Sequence, residues 1–283
     1  MARISFSQVL KNAAIDIRRE YDRLYSLFCL QRIIVGNGME TTTLRDTCAM
    51  NFANLPFRGT CISLDDFDDS YERHYERKPS AFDIDYLVSF CEYSYNLAVY
   101  NQGIGYGGLQ MNSTGNAMQF YINQVQRVIE SIGYMPNAQN GIVDFVPKDQ
   151  AAISVAEIID PSLSYRVIEY NHYSMKGDLK RKRDILLAIE DKLEPQRDKL
   201  KQINATMESD LFFLFNSVNL RHNNADPDGK NYIPFVANMM DEEIEKWYDE
   251  AYQICLLAFL ELDNVERKNR VNQLKKDTKA KQN

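Results

Sequence analysis

Apolar residues spaced three and four apart predict helices along most of the chain. Phe6, Val9, Leu10, Ala13, Ile17, Leu24 and Phe28 form one such stripe, which predicts a first helix from about Ser5 to Val35, stopped by Gly36 and Gly38. Residues 39–79 are less regular. Their acidic stretch (Asp65, Asp66, Asp68, Asp69) and the mixed charges from Glu72 to Lys78 read as a solvated face. Ser80 and Asp83 predict the cap of a helix that runs to about Asn101, with Phe82, Leu87, Phe90 and Leu97 on its apolar side. Another helix is predicted from about Asn116 to Ile132. The period then changes. Asn140-Gly141 is a turn dipeptide beside the β-rich run Ile142 to Val146, which predicts a hairpin over residues 134–146, ended by Pro147.

Beyond the hairpin the chain reads as helix again. Predicted segments are Gln150 to Ile159, Ser162 to about Met175 after the start signal Asp160-Pro161, and Asp178 to Lys201, which Pro195 kinks or divides. Met207 to His222 follows, and then Asp241 to about Leu262, with Ile244, Trp247, Tyr248, Ala251, Ile254, Cys255, Ala258 and Leu262 along one side. Leu256 to Leu260 is apolar nearly all round, so other helices or a second subunit are expected to cover it. The stretch after Glu266 carries seven basic residues and one acidic residue and reads as a frayed end or a helix extension. The fold class is therefore mainly α, a helical bundle with one small β-hairpin. The expected division is an N-terminal helical region (1–132), a hairpin connector (133–147), a C-terminal bundle (148–265) and a basic tail (266–283).

Composition narrows the function classes. A net charge of −7 argues against a protein that binds nucleic acid with its whole surface and leaves only a local patch for RNA or DNA. No apolar run approaches the roughly 20 residues that span a bilayer, and no secretory h-region follows Met1, so no membrane association is expected. Five scattered cysteines, never in a C-x-x-C pair, read as buried free thiols of a cytoplasmic protein.

Several local patterns invite chemistry. Gly103-Ile104-Gly105-Tyr106-Gly107-Gly108 follows a helix rather than a strand and lacks a P-loop lysine, so it reads as a connector. Asn224 to Gly229 resembles the start of a calcium loop, but Phe235 stands where the closing glutamate is needed, and turn formation explains the segment. Lys180, Arg181, Lys182 and Arg183 form the densest basic cluster and would contact phosphates, or pair with the neighbouring Asp178, Asp184, Glu190 and Asp191. His172 lies in a polar-aromatic stretch and reads as an interface histidine or a second catalytic group. No metal site and no cofactor are expected.

The segment from Phe212 to Pro227 is the most informative. An apolar helix turns abruptly into Arg221, His222, Asn223 and Asn224, with Asn216 and Asn219 on a polar stripe. An imidazole moves a 2′-hydroxyl proton near neutral pH, and a guanidinium stabilises a phosphorane. The same spacing also puts His222 beneath Val218, Phe215 and Leu211, as a structural residue at a cation-favouring helix end.

This arrangement of helix, Arg-polar motif, short proline-containing loop and long apolar closing helix, over about residues 150–265, resembles the C-terminal half of a HEPN domain. The resemblance implies a helical bundle and a metal-independent endoribonuclease of a phage-defence, abortive-infection or toxin–antitoxin system. It also implies a dimer that brings two Arg…His motifs together, here through the C-terminal helices, with an antitoxin as a partner class. Arg221 matches the family arginine, and Asn223 or Asn224 its polar neighbour. The family histidine lies several positions after the arginine, whereas His222 is adjacent and no histidine follows it. The implied roles are Arg221, His222 and Asn223 in catalysis, with Asn216, Asn219, Asn224 and the basic cluster binding substrate. The alternative is a non-catalytic helical scaffold that recognises a protein or nucleic acid.

Overall fold

The computed structural model describes residues 15–35, 40–103, 112–222, 227–229 and 232–280. It is mainly helical, with two small two-stranded sheets. The described residues divide into two compact units, one ending at Phe145 and the other beginning at Val146.

In the first unit, α1 (Ile17–Tyr25) starts at Asp16, whose side chain accepts from the Arg19 amide, and continues as a π-helical turn, Ser26–Leu30. The helix expected to reach Val35 ends there. Ile33-Ile34-Val35 instead forms β1 (Ile33–Val35), antiparallel to β2 (Glu40–Thr42), because three consecutive β-branched residues favour a ribbon over another helical turn. Two short capped helices follow, α2 (Leu44–Met50) and α3 (Leu64–Ser70). The next helix, α4 (Ile84–Gly103), begins three residues later than a cap at Ser80 suggested. Asp83 is its cap, accepting from the Tyr86 amide at 2.9 Å. It packs on α5 (Asn112–Ser131). Tyr21, Phe28, Phe90 and Tyr121 are fully buried among these helices, with Tyr21–Phe90 and Phe28–Tyr121 ring centroids both 5.1 Å apart.

The hairpin forms as predicted. β3 (Tyr134–Gln139) and β4 (Ile142–Pro147) are joined by Asn140 and Gly141, both at positive φ (53° and 81°), as a tight primed turn requires. Asn96 of α4 bonds both the amide and the carbonyl of Val143 at 2.8 Å.

The second unit contains α6 (Gln150–Ala156), α7 (Pro161–Glu169), α8 (Leu179–Leu193), α9 (Arg197–Ile203), α10 (Ala205–Ser217), the single turn α11 (Pro234–Ala237) and α12 (Asp241–Ala280). α7 ends at Glu169, and only a 3-10 turn, Tyr173–Met175, occupies the rest of the predicted segment. Pro195 divides α8 from α9 through a 3-10 turn. Helices α8, α9, α10 and α6 pack around the first half of α12, whose Tyr248, Ala251, Tyr252, Cys255, Leu256 and Ala258 are buried. Tyr252 stacks flat on Tyr170 at 4.0 Å and donates to the Val167 carbonyl at 2.6 Å. The last buried residue of α12 is Leu262, and the helix continues to Ala280.

Candidate functional site

α10 starts at Asn204, which accepts from the Met207 amide, and its Leu211, Phe212, Leu214 and Phe215 are buried. It ends at Ser217 rather than His222. Asn219 takes a left-handed conformation (φ 61°), and the Arg221 amide then donates back to the Phe215 carbonyl at 3.0 Å. Arg221 and His222 therefore sit on the turn beyond the helix, and the stripe that placed His222 under Val218 and Phe215 does not extend to it. Two contacts hold the turn: Tyr248 Oη donates to the Asn219 carbonyl (3.3 Å) and Arg183 Nε to the Leu220 carbonyl (2.7 Å).

The Arg221 guanidinium lies against two carboxylates, Glu190 and Glu194, 5.7 Å from the centre of the Phe212 ring. Glu190 is buried, and burial pushes its carboxyl up to about 7, against the pull of Arg221. His222 is exposed, as is Asn216, and Asn219 is half-buried. Asn223 and Asn224 lie outside the described residues, as do residues 104–108 of the glycine run and residues 224–226 of the loop compared with a calcium site.

The basic cluster is largely turned to internal use. Lys182 is buried and pairs with Glu245 (2.8 Å) and Asp249 (2.7 Å) of α12. Arg181 pairs with Glu169 at 2.5 Å, and Arg183 caps the turn after α10. Lys180 is exposed. His172 is buried and caps the 3-10 turn, its Nδ1 2.7 Å from Ser174 Oγ. Sequence spacing showed the nearby acids but not which of them each cation meets, because the partners come from separate helices.

The larger feature was not foreseen. Between α10 and the start of α12 lies a groove of about 570 Å³, lined by Asp210, Phe213, Leu214, Glu243, Lys246, Trp247, Glu250 and Ile254. Phe213 and Trp247 are 64% and 43% exposed. Trp247, expected on the buried side of its helix, forms the groove wall instead, and Leu257 on the same helix is also exposed. Carboxylates outnumber cations along the rim: Asp210, Glu243 and Glu250 against Lys246. Helical periodicity marks Phe213 and Trp247 as apolar positions without saying whether a core or open space faces them.

The five cysteines are free; Cys48, Cys61, Cys91 and Cys255 are buried and Cys29 is half-buried. Burial pushes the Cys29 thiol up to about 12, and those of Cys48, Cys91 and Cys255 also upward. Among the described residues, no helix is long and apolar enough to cross a membrane. The chain matches no protein-family model, no curated protein and no solved structure.

Proposed function

We propose that the chain is a non-catalytic helical recognition protein, and that the α10–α12 groove takes an amphipathic, basic helix of a protein partner. The observation that carries this reading is the pairing of exposed Phe213 and Trp247 with an acidic rim in one groove. Apolar walls of this kind accept one face of a helix, and the rim selects its charge. The basic residues that the sequence offered to RNA are mostly engaged by the protein's own carboxylates and carbonyls. The five free, mostly buried thiols suit a reducing compartment, which in this reading is the cytoplasm.

Trp247 is the single tryptophan of the chain, so tryptophan emission, excited selectively over tyrosine, reports on the groove. A synthetic amphipathic Leu/Lys helix titrated into dilute protein is expected to shift the emission to the blue with saturation, and a Leu/Glu helix of the same pattern is not. If neither peptide shifts it, or both do equally, the reading is wrong.

One observation favours a second reading, the HEPN-like endoribonuclease of a defence or toxin system: the His222 imidazole is exposed beside Arg221, where a phosphodiester can reach it. Against it, Arg221 already faces two carboxylates. In this reading, RNA cleavage without metal, or growth arrest on expression, disappears in His222→Ala, a change at an exposed position. Cleavage or arrest that survives His222→Ala removes this site assignment.

A further inference from the structure

The second half of α12 is an arm whose described contacts with its own unit beyond Leu262 include one long ion pair, Lys199 to Glu266 at 3.9 Å. After Leu262, the last buried residue, the helix runs about 18 residues, roughly 27 Å, with Val271 and Leu274 exposed on it. A single helix of that length is marginal in water, and packing of an apolar face is what normally sustains it. The arm is also strongly basic, with six basic and two acidic residues between Asn264 and Ala280, whereas the stretch from Asp241 to Glu250 has six acidic residues and one basic. Complementing the helix dipole explains charge only in the first and last turns. Glu250 and Lys268 lie well inside the helix.

Resting on the recognition reading above, we propose that the groove's partner is the arm of a second copy of this chain, laid antiparallel so that two α12 helices exchange arms about a two-fold axis. One stripe of α12 steps alternately by four and three residues: Glu243, Trp247, Glu250, Ile254, Leu257, Glu261, Asn264, Lys268, Val271, Lys275. This is the spacing of a helix-pairing seam. Its first four members line the groove. Antiparallel pairing centred near residue 259 sets Glu243 opposite Lys275, Trp247 opposite Val271 and Glu250 opposite Lys268. Each pair occurs twice in the dimer, once in each direction. The same register sets Leu257 beside Glu261 of its mate, and the two Leu257 side chains, exposed in the single chain, flank the two-fold axis roughly 6 Å apart along the helices. A parallel pairing would stack Lys268 on Lys268 and Glu250 on Glu250, so charge selects the antiparallel arrangement. An isologous interface of this kind closes at two copies.

Sedimentation of the full chain at micromolar concentration is expected to give a dimer, with Trp247 emission shifting to the blue as the dimer forms. Glu250→Lys alone and Lys268→Glu alone should each weaken the dimer at least tenfold, and the two together should restore it. For polarity, Glu250→Cys with Lys268→Cys should form a covalent dimer under mild oxidation, while Glu250→Cys alone should not. A monomer at every concentration overturns the proposal, and so does cross-linking of Glu250→Cys to itself or failure of the double charge swap to restore pairing. If the chain stays monomeric while the Leu/Lys helix still enters the groove, self-pairing fails and the recognition reading stands. If neither binds, both fail.

Discussion

Arg221 and Glu190 show how one contact changes the meaning of a motif. Read along the sequence, an arginine beside a histidine suggests phosphate chemistry. In the fold, the guanidinium meets a buried carboxylate and an exposed one, Glu190 and Glu194. Removing it with Arg221→Ala leaves Glu190 buried and alone, which is expected to cost about 3 kcal/mol near pH 8. The cost should shrink at pH 5, where the carboxyl takes up a proton, and urea denaturation at the two pH values measures it. Glu190 itself is raised from 4.5 to about 7 by burial. The folded state therefore holds this proton more tightly than the unfolded chain, and its contribution is full below about pH 4.5 and lost as pH rises through about 7. At about 1.4 kcal/mol per unit, the loss is on the order of 3 kcal/mol. Glu190→Gln, which cannot ionise, should flatten that part of the stability curve between pH 5 and 8. Equal slopes in the two proteins would show that Glu190 stays charged in the fold.

At the scale of elements, what the sequence made legible depended on whether a local signal coincided with the structural event. The hairpin was readable because Asn140-Gly141 is itself the turn, with both residues at positive φ. The end of α10 was not, because the apolar spacing continues through Val218 and Leu220 after the backbone has left the helix. The signal there is Asn219, the non-glycine residue most often accepted in the left-handed position just past a helix. Asn219→Gly should be close to neutral, and Asn219→Val should cost about 1–2 kcal/mol, read as a shift in urea midpoint without a change in m-value. An equal cost for both would mean that the asparagine side chain, rather than its backbone conformation, holds the turn. The β1–β2 ribbon was hidden for a related reason: Ile33-Ile34-Val35 extends the apolar run of the preceding helix, and only its β-branching distinguishes it. The groove was illegible in principle. Phe213 and Trp247 keep helical register with buried neighbours, and their exposure depends on where α10 and α12 diverge.

At the scale of the whole molecule, the cysteines and the core of the second unit make its independence testable. Among the described residues, its apolar cluster of buried side chains runs from Ala152 to Leu262. A fragment of residues 146–283 is therefore expected to fold on its own, with a helical circular dichroism spectrum, one cooperative thermal transition and the Trp247 emission maximum of the full chain. Cys255 is the sole thiol in that fragment and is fully buried, with its pKa pushed upward by burial. Its alkylation should then be slow in native buffer and should accelerate in step with urea unfolding, because reagent reaches the sulfur only when the core opens. Rapid alkylation of Cys255 in a fragment that remains helical would mean the core has loosened while its secondary structure persists. In that case the second unit would depend on the rest of the chain for its packing, and the buried cluster alone would not account for its stability.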